Sequence, residues 1–234
     1  LGAGRGATVD ATAAFAALGT GLAAGDGNGD GHDDLLLGAP VANTYDGRVL
    51  AFASSATRAA GDSVDVDAAG AALLDIPSPA PFGWFGQSVA VSNRTLLVGA
   101  PFARSDPSCT KACQVVGRVF GFALAPTALP VGAAPSFSVS GVEPLGRFGA
   151  AIAASGGIVA VSAPDAGAGT GGLVGEAGAS SRAGAGTLAS AATFASLRGN
   201  VLLPSLPSTT TVRGTAHSGR FGEHVSLTPL GNAT

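Results

Sequence analysis

The feature that most constrains the fold of this chain is an internal repeat with a period of about 65 residues. Four segments share a common form: LGTGLA (18–23), FGQSVA (85–90), FGAAIA (148–153) and FGEHVS (221–226). Their shared glycines are 67, 63 and 73 residues apart, and they are Gly19, Gly86, Gly149 and Gly222. A long, regular period of this kind is typical of solenoids, propellers and arrays, in which each repeat is one supersecondary unit.

Two further elements follow the first within each unit. The second element is LLLGAP (35–40), LLVGAP (96–101) and VAVSAP (159–164) in the three successive units. The third is GRVLAF (47–52), GRVFGF (117–122) and, more weakly, GTLASA (186–191). Val, Leu, Ile and Phe predominate between the Gly and Pro positions, which predicts short β-strands separated by turns.

The repeat predicts an all-β fold, a β-propeller built of four-stranded antiparallel blades. One sheet per unit would stack face to face with its neighbours around an axis. Residues 1–234 are then a single partial propeller of about three and a half blades. The expected blades are residues 15–80, 81–144 and 145–217, with the start of a further blade at 218–234. A helix over 11–22 is excluded because Gly19 and Gly21 would break it.

The first unit carries an insertion rich in acidic side chains, with the sequence DGNGDGHDD (26–34). Its first and second elements are separated by 19 residues, from Gly19 to Gly38, whereas the second and third units have 13. The other units use the short turns SNRT (92–95) and SGGI (155–158) at the same place. The six extra residues therefore form a loop of their own, and the sheet closes without them.

The oxygen-bearing side chains of this loop follow the spacing of a hard-cation site. They stand at positions one, three, five and nine, a glycine occupies position six, and position seven offers a backbone carbonyl. The expected ion is Ca²⁺, which takes six to eight oxygen ligands. The expected ligands are the side chains of Asp26, Asn28, Asp30 and Asp34 and the backbone carbonyl of His32.

The loop has three other interpretations. An EF-hand requires a bidentate Glu at position twelve, where this chain has Leu37, and no helical pattern flanks the loop. A solvated acidic turn without a metal, and a transition-metal site that uses the ring of His32, both remain open. Asp33 is expected to point outward or to stabilise the turn.

The order of these motifs resembles the FG-GAP repeat of the integrin α-subunit propeller. Similar repeats occur in glycosylphosphatidylinositol-specific phospholipase D and in algal and bacterial surface proteins. The first unit carries the most specific motif, although its leading FG is LG, and the third departs by having SAP for GAP. The resemblance implies a seven-bladed ring with calcium loops opposite the ligand-binding loops, and therefore further blades outside these residues.

Several features favour an oxidising, extracellular setting. Cys109 and Cys113, in CTKAC, are expected to form a small-loop disulfide, the alternative being half of a metal site. Asn93 and Asn232 begin the sequons NRT and NAT, which predict glycosylation in a secreted protein. The absence of Met predicts a segment of a longer chain or a processed piece.

The composition excludes some functional classes. A net charge of −3 and the lack of any Lys/Arg cluster argue against nucleic-acid binding. The longest uncharged apolar stretch (119–142) is interrupted by three prolines, which argues against insertion into a membrane. The sequence contains no G-x-S-x-G elbow and no P-loop, so no catalytic residues are expected.

Two functions follow from these features. The first is a non-catalytic propeller with structural calcium at the cell surface or outside the cell. It would bind other protein chains or glycans, mediate adhesion, or assemble a surface structure. The alternative is an accessory propeller of a secreted hydrolase, as the resemblance to the phospholipase D group implies.

Overall fold

The computed structural model describes residues 8–10, 17–26, 28, 30–52, 63–65, 74–92, 94–106, 114–124, 133–155, 158–166, 185–190, 199–202, 210–213 and 223–227. The strands are β1 (Thr8–Asp10), β2 (Gly21–Gly25), β3 (Asp34–Ala39), β4 (Arg48–Phe52), β5 (Ser63–Asp65), β6 (Leu74–Pro77), β7 (Ser88–Ser92), β8 (Thr95–Ala100), β9 (Arg118–Ala123), β10 (Phe137–Ser140), β11 (Ile152–Ser155), β12 (Ile158–Ala163), β13 (Ala185–Ser190), β14 (Gly199–Leu202) and β15 (Thr210–Arg213). One short helix, α1, covers Ala42–Tyr45.

The strands form three main sheets that follow the sequence repeat, called here blades one, two and three. Blade one has the order β2-β3-β4-β6, blade two β7-β8-β9-β10-β14, and blade three β11-β12-β13-β15. Neighbouring strands in the blades are antiparallel, except that β14 pairs in parallel with β10. The predicted all-β class with four-stranded antiparallel blades is therefore confirmed, and β14 is an addition to blade two.

Helix contributes little in the residues that the structure describes, as the sequence predicted. The single helix, α1, lies directly after the first GAP motif, and three of its four residues have positive φ: 52° at Asn43, 60° at Thr44 and 70° at Tyr45. It is therefore a tight turn that carries the chain from β3 to β4. A regular helical segment would not contain these dihedral angles.

Two apolar clusters join the blades. The first lies between blades one and two and includes Leu36, Val49, Phe85 and Val98, all completely buried. The second lies between blades two and three and includes Leu97, Val139, Phe148 and Val161. Phe85 and Phe148, the phenylalanines of the second and third FG motifs, thus lie in the interblade core.

Within each blade the FG and GAP motifs are linked by one repeated hydrogen bond. The Gly19 amide donates to the Gly38 carbonyl at 2.9 Å, and the Gly86 amide donates to the Gly99 carbonyl at 3.0 Å. In blade three the Gly149 amide donates to the carbonyl of Ser162, the residue that replaces the GAP glycine, at 2.8 Å. The bond uses only backbone atoms, which explains why SAP can stand in for GAP within a blade.

Candidate cation-binding loop and the surrounding surface

The acidic loop connects two paired strands of blade one. Asp26 directly follows β2, and Asp34 is the first residue of β3, where it pairs with Gly25. Gly31, at position six, has φ +86°, a conformation that a side chain would strain. The glycine at this position is therefore required by the turn that returns the loop to the sheet.

Backbone amides inside the loop donate to the predicted ligand side chains. The Gly31 amide donates to Oδ2 of Asp26 at 3.1 Å, and the Asp30 amide donates to Oδ1 of Asn28 at 2.9 Å. The His32 amide donates to Oδ1 of Asp30 at 2.8 Å. These three bonds orient oxygen-bearing side chains along a tightly wound loop, with successive Asx turns at positions three and five.

Asp30 occupies the centre of this network. The side-chain amide of Asn28 donates to its Oδ2 at 2.9 Å, while the His32 amide holds Oδ1. These hydrogen bonds, that from Asn28 first and that from His32 second, lower the pKa of the Asp30 carboxyl, because they favour its charged form. Asp30 is therefore held as a carboxylate at the apex of the loop.

The remaining loop residues differ in exposure. Asp34 is 1 % exposed, whereas His32 and Asp33 are exposed. The outward position of Asp33 agrees with the expectation for that residue. The burial of Asp34 was not foreseen, and it places this carboxylate at the base of the loop, at the edge of the blade.

The donor set fits a hard divalent cation in its chemistry. The expected ligands are carboxylate, amide and carbonyl oxygens, the kind that Ca²⁺ prefers over softer metals. Among the described residues, no three His, Cys, Asp or Glu side chains converge as metal ligands do. The loop therefore carries oxygen donors of the kind that Ca²⁺ prefers, and the binding of an ion by them stays a prediction.

Other predicted sites fall outside the described residues. These are the sequon asparagines Asn93 and Asn232 and the cysteines Cys109 and Cys113. The structure does describe the residues on either side of the segment that carries the cysteines. Arg104 and Val115 form an antiparallel bridge, and the Ser105 amide donates to the Gln114 carbonyl at 2.9 Å. The disulfide and the glycosylation sites remain predictions.

A buried arginine holds the base of the loop that connects the second GAP motif to β9. Arg118, 1 % exposed, donates to the Ser105 carbonyl at 2.9 Å and to the Ser138 hydroxyl, and lies 5.5 Å from the Phe120 ring centroid. Burial lowers the pKa of Arg118, and the charge of Asp106 opposes that shift. The sequence showed the Gly-Arg-Val motif, but not that its arginine supports the loop after GAP.

An aromatic group lies on the surface beside the loops that follow the GAP motifs. Trp84 stacks on Tyr45, with ring centroids 6.1 Å apart, and packs against Phe102 at 4.6 Å. Tyr45 is about half exposed and Phe82 is 56 % exposed. Trp84, which directly precedes the second FG motif, thus contacts α1 of blade one. The exposed rings were not foreseen, since no periodic pattern marks them.

The fold and loop correspond to a known family model. Residues 18–52 match the model described as FG-GAP repeat, which covers β2, the acidic loop, β3, α1 and β4. The chain contains an FG-GAP repeat. Blades two and three repeat the same backbone links between their FG and GAP motifs.

Three curated proteins that are similar to this chain share one name. The chain is 30% identical to phosphatidylinositol-glycan-specific phospholipase D of Rattus norvegicus over 169 residues, which is 66% of this chain and 19% of that protein. It is 30% identical to the Homo sapiens protein of the same name over 158 residues, or 62% of this chain and 18% of that protein. The chain thus spans about a fifth of the length of these relatives.

Within the part of the chain that the structure describes, no helix has the length and apolar character needed to cross a bilayer.

Proposed function

We propose that residues 1–234 are a non-catalytic part of an extracellular FG-GAP propeller that is stabilised by calcium and binds protein or glycan partners. The observation that supports it most is the acidic loop within the FG-GAP repeat, in which three backbone amides orient Asp26, Asn28 and Asp30. Calcium bound there would be structural, because the loop joins two strands of a blade.

The role that we propose for calcium follows from the negative charges of the loop. Four carboxylates lie within nine residues, at Asp26, Asp30, Asp33 and Asp34, and one of them is buried. Like charges at this spacing repel one another, and a divalent cation would remove that repulsion. Bound calcium would therefore order the loop and stabilise the β2–β3 pair.

Recognition by the propeller would use the loops that follow the GAP motifs. Rigid scaffolds commonly present binding residues on loops, and the Tyr45–Trp84–Phe102 group lies beside two of these loops. Aromatic side chains are enriched at protein interfaces, where they supply large contact areas. Adhesion and the assembly of a surface structure are the roles that this arrangement would serve.

Calcium binding is tested by titration calorimetry and thermal unfolding of the chain and two variants. Asp30→Ala removes the central carboxylate, so we expect calcium binding to be lost and calcium to stop raising the Tm. Asp33→Ala is the matched control, since it removes an exposed carboxylate outside the ligand set. Unchanged calcium affinity in Asp30→Ala would show that the ligand assignment is wrong.

A second function is favoured by the curated relatives. Their shared name suggests that this chain is an accessory propeller of a secreted hydrolase that acts on phosphatidylinositol-glycan. We expect residues 1–234 alone to have no hydrolase activity on a phosphatidylinositol-glycan substrate. Activity in the intact protein would support the accessory role, whereas activity of the isolated segment would overturn the non-catalytic assignment.

A further inference from the structure

Left-handed backbone is concentrated at the junction between blades one and two. Among the residues that the structure describes, nine other than glycine have positive φ, and five of them lie here. Asn43, Thr44 and Tyr45 follow one another with φ values of 52°, 60° and 70°, and Phe82 and Trp84 have 53° and 55°. This conformation is strained for a residue with a side chain, and such strain clusters where proteins bind ligands.

Hydrogen bonds hold the two left-handed segments together. The Trp84 amide donates to the Tyr45 carbonyl at 3.1 Å, and the Phe85 amide donates to the Asp46 carbonyl at 3.0 Å. The Asp46 side chain also takes part, because its Oδ1 accepts from the Phe82 amide at 2.7 Å. The rings of Tyr45 and Phe82 are therefore presented from a fixed backbone.

These two rings are turned towards solvent. Tyr45 is 49 % exposed and Phe82 is 56 % exposed. The neighbouring residues Asn43 and Thr44 are exposed as well, and they supply an amide and a hydroxyl group. Apolar ring faces thus lie close to a few hydrogen-bonding groups, which is the combination found in small-ligand sites.

The fold does not require aromatic residues at this junction. Between blades two and three, Leu145 and Arg147 stand at the positions of Phe82 and Trp84, at the same distances before the FG motif. Their φ values, 59° and 56°, show that the backbone is the same. A half-exposed ring at such a position adds little to the packing of the blades, which favours a role in binding.

The size of the exposed area favours a small ligand. A whole aromatic side chain offers ~150–250 Å², so the two half-exposed rings together offer about 200 Å². A stable protein complex buries ~800 Å² on each partner. These rings would cover only a fraction of such an interface, but they can cover much of a short oligosaccharide.

Charge narrows the class of ligand. Asp46 is the only charged residue in the segments 41–47 and 78–86, which form this surface. Its carboxylate would repel sulfated sugars and uronic acids, whereas sugar hydroxyl groups can donate hydrogen bonds to it. The surface is therefore suited to an uncharged glycan.

We infer that the junction surface, formed by Asn43, Thr44, Tyr45, Asp46 and Phe82, binds a neutral oligosaccharide. The C–H face of a sugar ring packs on the rings of Tyr45 and Phe82, and its hydroxyl groups pair with the polar side chains beside them. This inference rests on the recognition function proposed above and assigns its partner to the glycans.

The first test is titration calorimetry of the intact protein with four neutral tetrasaccharides, built of glucose, mannose, galactose or N-acetylglucosamine. A heparin tetrasaccharide is the anionic comparison. We expect saturable binding of at least one neutral probe and none of heparin. Failure of all four neutral probes to bind, or tighter binding of heparin, would overturn the inference.

Phe82→Leu tests the site, because the fold accepts Leu145 at the equivalent position of the next junction. We expect an unchanged Tm and binding weakened by about tenfold or more, since the ring face is lost. Phe82→Tyr should retain binding. Leu145→Ala is the matched control at the other junction and should not alter the affinity. Equal affinities of Phe82→Leu and the unaltered protein would overturn the site.

Failure of this inference can be distinguished from failure of the proposed function. A protein partner whose binding is lost in Phe82→Leu, with no tetrasaccharide bound, would overturn the glycan and leave the recognition function in place. Asp30→Ala examines calcium separately, since Asp30 lies in the acidic loop between β2 and β3.

Discussion

Gly38 of blade one lies directly against Gly86 of blade two. A Cβ atom added to Gly38 would overlap the carbonyl oxygen of Gly86 and would stand 3.0 Å from its Cα. Gly99 of blade two has the same relationship to Gly149 of blade three. The GAP glycine of one blade is therefore required by the FG glycine of the next, which relates the two halves of the motif across each junction.

Substitution of Gly38 should weaken the packing between blades one and two. We expect Gly38→Ala to lower the free energy of unfolding by about 1–3 kcal/mol, because the backbone of blade two must shift to admit a methyl group. Urea unfolding followed by circular dichroism measures the change. Gly83→Ala is the control, since its Cβ would lie 3.3 Å from the Cβ of Ala103, and a loss as large as that of Gly38→Ala would contradict the argument.

The two Gly-Arg-Val arginines should differ in their contribution to stability. We expect Arg118→Ala to cost about 1–3 kcal/mol, since it removes a buried side chain and the hydrogen bond that it donates to the buried hydroxyl of Ser138. Arg48→Ala should cost at most about 1 kcal/mol, because the Arg48–Asp75 pair, at 2.9 Å, is partly exposed and screened by water. Chemical denaturation of both variants measures the difference, and equal losses would show that burial of Arg118 is not decisive.

The aromatic contact of Trp84 can be measured by a double-mutant cycle. We expect Trp84→Ala and Phe102→Ala to show a coupling energy of about 0.5–1.5 kcal/mol in unfolding experiments, because their rings are 4.6 Å apart. Trp84 is the only tryptophan, so its fluorescence reports the same contact in Phe102→Ala. A cycle of Trp84 with Phe137, which lies in the second interblade cluster, should give no coupling.

Removal of calcium should have a local effect. We expect a chelator to increase hydrogen exchange across residues 26–34 by about tenfold or more, because their carboxylates would repel one another without the ion. Strands β8 and β9 should remain protected, since their central residues are buried between neighbouring blades. Uniform loss of protection would indicate that calcium supports the whole fold, and no change would indicate that the loop is a metal-free turn.

The positions of the strands were predictable from the sequence because their causes are local. The LLLGAP, LLVGAP and VAVSAP elements correspond within one residue to β3, β8 and the start of β12. β-branched and large apolar residues favour the extended backbone, and a proline directly follows each of these three strands. The calcium ligands of the loop stay a prediction, which rests on the spacing of nine consecutive residues.

Tertiary structure decided the relationships between distant residues. The contact of Gly38 with Gly86, the burial of Asp34 and of Arg118, and the pairing of β10 with β14 could not be read from any single segment. Each of these features involves residues from different repeats or strands. It stabilises the protein only after the strands have paired and the blades have packed together. Local sequence therefore determined what each blade is made of, whereas packing between the blades determined which side chains are buried and which strands meet.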